Sequence, residues 1–330
     1  MLVSSAVNAL HRMWSSRYTL VMETCFPADV LLQGLPRRRL ALLPTPLHRL
    51  PQLSAALGGP EIWVKRDDLC GLGGGGNSLR KLELLLADAL RQGAQTIVTT
   101  GTAQSNHVRQ TAAMATACGL RCVLALSGMG PATINGNLLL DRLFGADIRW
   151  CGDGAAPLVM QDIVAEEASV GRKAYVIPPG GSNAIGAAGY AAAMMELAEQ
   201  AATSDVVFSH ICLASGSGGT QAGLLAGAAA ASLTPDIIGI DVGVLPRTLS
   251  AVAYELANIT AGLLRIRGGV RPAQVLVDDR WVGPGYGVVT DIEREALWMA
   301  ARFEGLLLDP FHTARAMAGL MAMVRHHELK

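Results

Sequence analysis

From about Leu43 onward, short runs of consecutive apolar residues alternate with longer stretches in which apolar positions recur every three or four residues. The short runs are Glu61-Ile-Trp-Val-Lys65, Thr96-Ile-Val-Thr-Thr100, Arg121-Cys-Val-Leu-Ala-Leu126, Ala174-Tyr-Val-Ile177, His210-Ile-Cys-Leu-Ala214 and Ile237-Ile-Gly-Ile-Asp241. Uninterrupted apolar runs predict strands buried on both faces, as in parallel sheets covered by helices. The longer stretches predict helices over Ser78–Gln92, Asn106–Cys118, Asn137–Phe144, Ala187–Glu199, Gln221–Ala231 and Asp291–Phe303. Strand and helix alternate, so the class is α/β. No repeat of fixed period is present, and the one low-complexity tract is the four glycines Gly73 to Gly76.

The length of 330 residues exceeds the usual ~100–200 for one domain, and 51% hydrophobic content suffices for a large core. Two lobes are therefore expected. With 27 Lys+Arg against 27 Asp+Glu, no basic excess draws nucleic acid or an anionic membrane, and neither is expected as a partner. The cysteines Cys25, Cys70, Cys118, Cys122, Cys151 and Cys212 are scattered, without the paired spacing of a zinc site. No metal is expected, and reduced thiols suit a cytoplasmic protein. The weakly polar run from Gly223 to Leu233 falls short of the ~20 residues a membrane span needs, and a buried helix accounts for it. The first 34 residues carry Arg12, Arg17 and several serines, with no acidic residue before Glu23. A transit peptide shares that composition, so organellar targeting stands beside a loosely ordered extension or a true start at Met22.

Three turns follow predicted strands and open helices, where free backbone amides and the positive end of the helix dipole favour an anion. In Ala214-Ser215-Gly216-Ser217-Gly218-Gly219-Thr220, small residues let the backbone close around a phosphate, and Ser217 and Thr220 add hydroxyl donors. The alternative is a tight turn needing glycine for its dihedrals. No GxxxxGK[ST] signature accompanies it, which disfavours a P-loop nucleotide site. In Gly101-Thr102-Ala103-Gln104-Ser105-Asn106, the last two residues are either plain N-caps or donors for a substrate carboxylate. The third turn, Pro179-Gly180-Gly181-Ser182-Asn183, indicates by itself only a turn before a helix.

The stretch Gly76-Asn77-Ser78-Leu79-Arg80-Lys81-Leu82-Glu83 resembles the GGNKxRKLE segment of a pyridoxal-phosphate enzyme family. That family includes D-cysteine desulfhydrase, L-cysteate sulfo-lyase and aminocyclopropane-carboxylate deaminase. The resemblance runs in register through Leu43-Pro-Thr-Pro-Leu47, Val64-Lys-Arg-Asp-Asp68, Gln104 to Gln110, Pro179 to Asn183, Ser215 to Gly223, Val277 to Arg280, Gly283-Pro-Gly-Tyr-Gly287 and Asp309-Pro310. It implies the tryptophan-synthase-β-like fold (fold type II), with two lobes built on parallel sheets. The implied division is an extension over 1–35, a larger cofactor-phosphate lobe of 36–80 and 190–330, and a smaller substrate-carboxylate lobe of 81–189. Pyridoxal 5'-phosphate would lie between the lobes, with Asn77, Asn106, Ser217, Gly218, Gly219, Thr220 and Thr313 as its binding residues. Position 78, Ser105 and Tyr286 would stand at the catalytic positions. A small amino acid is the implied substrate or ligand, and a homodimer the implied assembly.

Three departures bear on chemistry. The family's lysine forms a Schiff base with the cofactor and moves the substrate's Cα proton, and Ser78 can do neither. General acid–base catalysis alone is worth roughly 10²–10⁴-fold, so a severe loss is expected. Lys81 is a possible substitute amine, since it lies three positions along the same helix and about 60° around it. Second, Phe311 and His312 stand where the family's DPVYTGKA has valine and tyrosine. His107 and His312 are candidate proton carriers, because imidazole titrates near neutrality. Third, up to Lys330 nothing matches the family's HTGG-like segment, which supplies a partner for the pyridine nitrogen. Two functions follow: a lyase or deaminase that converts D-cysteine, cysteate or aminocyclopropane carboxylate to a 2-oxo acid and ammonia, or an inactive or repurposed homologue that binds a small ligand without turnover.

Overall fold

The computed structural model describes residues 28–152, 154–244 and 248–329. The segment discussed above as an extension or targeting peptide lies outside the described residues up to residue 27, as does Cys25.

Two parallel sheets organise the chain. A four-stranded sheet has the order β5-β4-β3-β6, with β3 at Thr96–Gly101, β4 at Arg121–Ser127, β5 at Asp147–Cys151 and β6 at Ala174–Val176. A three-stranded sheet has the order β7-β8-β9, with β7 at His210–Ser215, β8 at Asp236–Asp241 and β9 at Leu276–Asp278. Every pairing within both is parallel. Three of the apolar runs form the central strands β3, β4 and β8, where Ile97, Val98, Leu124, Leu126, Ile237 and Ile240 are buried, and the Ala174 and His210 runs form the edge strands β6 and β7. One expectation is corrected. The Glu61 run contributes only β2, Trp63–Lys65, which pairs antiparallel with β1, Leu47–Arg49, in a separate ribbon.

The helices cover both sheets. Ser78–Arg91 is rich in leucine, with alanine and arginine beside it, all good helix formers, and its residues from Ser78 to Ala89 are buried. Its Leu79, Leu82, Leu85 and Leu86 join Ile97, Leu124 and Leu126 in one core. A second core holds Leu224, Leu225, Ile237 and Leu256 around the smaller sheet. Between them runs the helix Ala184–Thr203, longer at both ends than its apolar pattern indicates. Glycine makes the contacts on both of its sides possible. A Cβ on Gly189 would stand 2.2 Å from the carbonyl oxygen of Arg80, and one on Gly223 of the helix Gly219–Ala230 would stand 2.2 Å from that of Ala187. The Ala- and Gly-rich composition of this region thus serves close backbone packing.

A buried polar cluster fastens the ribbon to these helices. Arg80 donates to Asp67 Oδ1 at 2.9 Å and Oδ2 at 3.0 Å, and to both Glu196 oxygens at 2.9 Å. Lys65 donates to the carbonyl oxygen of Thr45 at 2.7 Å and also reaches Glu196. The motifs Leu43 to Leu47 and Val64 to Asp68 are accordingly a brace. Removing one partner of such a buried set costs about 3–5 kcal/mol, because the remaining charge is left unpaired. Among the described residues, no helix is long and apolar enough to cross a membrane.

Candidate active site

The carboxyl ends of β3, β6, β7 and β9 lead into the turns singled out above, and these converge on one cleft. This is where ligands bind in open parallel sheets. Side-chain hydrogen bonds link the turns across it. Asn77 Nδ2 donates to Thr220 Oγ1 at 3.0 Å, Ser182 Oγ lies 2.7 Å from Ser217 Oγ, and Lys81 Nζ donates to the carbonyl oxygen of Gly180 at 3.0 Å. Thr102, beyond β3, acts on the hydroxyl of Tyr286, on the loop beyond β9, and partly offsets the rise that burial imposes on its pKa.

At one end stands the start of the helix Gly219–Ala230. Gly218 caps it with φ 78°, a conformation that favours glycine, and no side chain caps its first amides. A Cβ on Gly219 would stand 2.3 Å from Ser182 Oγ, and one on Gly180 would stand 2.3 Å from Ser217 Oγ. Glycine at these positions therefore lets the hydroxyls of Ser182 and Ser217 approach the turns closely, beside the free amides of the helix start and the hydroxyl of Thr220. That donor set fits a phosphate.

At the other end Ser78 is buried at the first turn of its helix, and its hydroxyl lies 3.3 Å from His107 Nδ1. Thr99 Oγ1 donates to the carbonyl oxygen of Ile177 at 2.9 Å, so toward His107 Nε2, 3.2 Å away, it can only accept. The network thereby assigns the His107 proton to Nε2 and leaves Nδ1 to accept from Ser78. Burial, together with Lys81, pushes His107 down to about 3. That weighs against His107 as a proton carrier near pH 7, because the ring stays neutral with its one proton on Nε2. Burial likewise pushes the Lys81 amine down to about 7.

Ser105 is the N-cap of the helix Asn106–Ala117, its hydroxyl accepting the amide of Val108 at 3.3 Å. Asn106 Oδ1 accepts from Asn137 Nδ2 at 3.0 Å and Arg109 Nη1 at 3.3 Å, while Arg109 Nη2 donates to the carbonyl oxygen of Gly75 at 2.8 Å. The glycine-rich turn is thus held against the Ser105 turn. Thr313 is exposed, and its amide and hydroxyl donate to Asp309 Oδ2 at 3.0 and 2.9 Å. Sequence reasoning also missed Arg315, fully buried against Glu293 at 2.7 Å. Its guanidinium donates to the carbonyl oxygens of Val242, Gly285 and Val288, so it holds the loop that carries Tyr286. An arginine within a helix gives no sign of this in sequence.

A family model for pyridoxal-phosphate dependent enzymes matches residues 39–330. The chain belongs to that family. A crystal structure of an ACC deaminase homologue matches with a TM-score of 0.85 at 37% identity, covering 92% of this chain and 91% of that one. The fold is fold type II, and family membership implies pyridoxal phosphate as cofactor. Its phosphate fits the uncapped amides of Gly219 and Thr220, whereas no amine stands at position 78. Among the described residues, no cluster of side chains is suited to a metal ion.

Proposed function

We propose that this protein binds pyridoxal phosphate between the lobes 36–80 with 190–330 and 81–189, as a homodimer, and acts in the manner of a lyase or deaminase on a small amino acid. The substrate class is that of D-cysteine, cysteate or aminocyclopropane carboxylate, and the products are a 2-oxo acid and ammonia. The observation that carries this reading is the meeting of an uncapped anion cradle, a hydroxyl–amide turn and a tyrosine at one cleft. Ser217, Gly218, Gly219 and Thr220 would hold the phosphate. Asn77 and Asn106 would orient the ring, and Ser105 would bind the substrate carboxylate. Bound there, the cofactor would supply an electron sink for charge developing at Cα.

A second reading is binding without turnover, and the chain Ser78–His107–Thr99 favours it. The hydroxyl is committed to a neutral imidazole and cannot form an imine. An absorbance spectrum of protein mixed with pyridoxal phosphate, followed by an assay for pyruvate or 2-oxobutyrate from the three amino acids, tests both readings. Saturable binding with keto-acid release supports the lyase or deaminase. Saturable binding without release leaves the second reading, and no binding overturns both.

A further inference from the structure

The turn between Asp309 and Thr313 sets His312 between a carboxylate and a phenol. Asp309 Oδ1 accepts the amides of Phe311 at 3.1 Å and His312 at 2.8 Å, and lies 3.0 Å from His312 Nδ1. Partial burial works against the charge on Asp309, but His312 and the amides around it hold the carboxyl well below the usual carboxylate range. An ionised acceptor at Nδ1 places a proton on that nitrogen and leaves the Nε2 lone pair on the far side of the ring. Tyr286 Oη lies there, 3.4 Å from Nε2, with the two rings edge to face. That separation is long for a hydrogen bond and common for catalytic pairs before a ligand binds. Burial raises the phenol's pKa, so its proton is present to donate. The charged group of that lobe within the field of Asp309 is Arg109.

We propose that Asp309, His312 and Tyr286 form a proton relay into the cleft, in which a proton taken up at Tyr286 Oη is matched by one passed to His312 Nε2. A new O–H bond forms at the phenol oxygen as the old one breaks, and the released proton forms an N–H bond on the imidazole. Tyrosine is neutral before and after, and the imidazolium rests against the Asp309 carboxylate. The reverse sequence returns a proton to the ligand. Asp309 and His312 therefore act through Tyr286. The relay depends on the residue that departs from the family's tyrosine.

This inference rests on the amino-acid reading of the cleft, but its first test does not. Long-range ¹H–¹⁵N spectra of the full chain carrying ¹⁵N-histidine, assigned with His312→Gln, should show His312 protonated on Nδ1 and bare on Nε2, with the Nε2 shift moving in Tyr286→Phe. A neutral His312 carrying its proton on Nε2, or shifts indifferent to Tyr286→Phe, would overturn the relay. In the second test, solvent deuterium is exchanged into the Cα position of D-cysteine by the pyridoxal-phosphate-loaded protein. His312→Gln should slow exchange by about 10²-fold while cofactor affinity is unchanged. Equal exchange rates also overturn it. Should the parent protein exchange nothing, the amino-acid reading fails, and the spectra alone decide whether the relay exists.

Discussion

The two ends of the cleft have diverged differently from the pattern this chain resembles. The phosphate end keeps its glycines and hydroxyls, and the attachment end has exchanged an amine for a hydroxyl. At the first, the proposed binding groups are backbone amides whose direction is set by Gly218, with Gly180 and Gly219 letting serine hydroxyls pack close beside them. At the second, the whole function rested on one side-chain nitrogen. A backbone-built site survives changes in surrounding side chains, whereas a one-atom site is lost in one substitution. At the attachment end Ser78 is buried and lies within hydrogen-bond distance of His107.

The largest expected effect comes from restoring the missing nitrogen. Ser78→Lys, mixed with pyridoxal phosphate and reduced with borohydride, should go from no label at this position to a nearly stoichiometric one by peptide mass mapping. Continued absence of label would mean that the two ends no longer share one ligand. Next is Gly219→Ala, whose Cβ would stand 2.3 Å from Ser182 Oγ. Displacing the cradle's charge-assisted hydrogen bonds, each worth about 1.5–3 kcal/mol, should weaken pyridoxal phosphate binding by about 10²-fold in a fluorescence titration. Unchanged affinity would place the phosphate elsewhere. Thr220→Val removes a single hydroxyl and should weaken the same binding by about tenfold.

The smallest effect sharpens the comparison through Lys81, the amine that remains near the attachment end. Burial pushes it down to about 7 from its ordinary 10.5. Between those values the unfolded chain binds the proton that the folded one rejects, so stability should rise with pH there and level off below about 7. Urea unfolding at pH 7 and 8.5 should show this rise in the parent and a flatter response in Lys81→Met. An equal rise in both would show that the amine is solvated in the folded state.

Legibility followed the locality of each feature. The central strands declared themselves as apolar runs, and the phosphate cradle as glycine and hydroxyl residues at a strand-to-helix junction. The antiparallel β1–β2 ribbon did not, because three-residue strands such as Leu47–Arg49 carry no period. The helix Ala184–Thr203 begins earlier than its apolar pattern because Asn183 is its N-cap, accepting the amide of Gly186 at 2.8 Å, in a segment that reads as a turn. In the site, Ser78 was identifiable but its partner was not. His107 lies 29 positions away, and a lone histidine does not announce whether it is neutral. The pairing of Asp309 with His312 had a local signal, an aspartate three residues ahead, yet Tyr286 joins them only through the fold.

The glycine contacts of the helix Ala184–Thr203 also constrain how this molecule can move. A rod pressed backbone to backbone against a neighbour on either flank, at Gly189 and Gly223, has no side-chain cushion over which those flanks can slide. Closure over a ligand must therefore come from bending at the turns that rim the cleft, with the three helices travelling as one block.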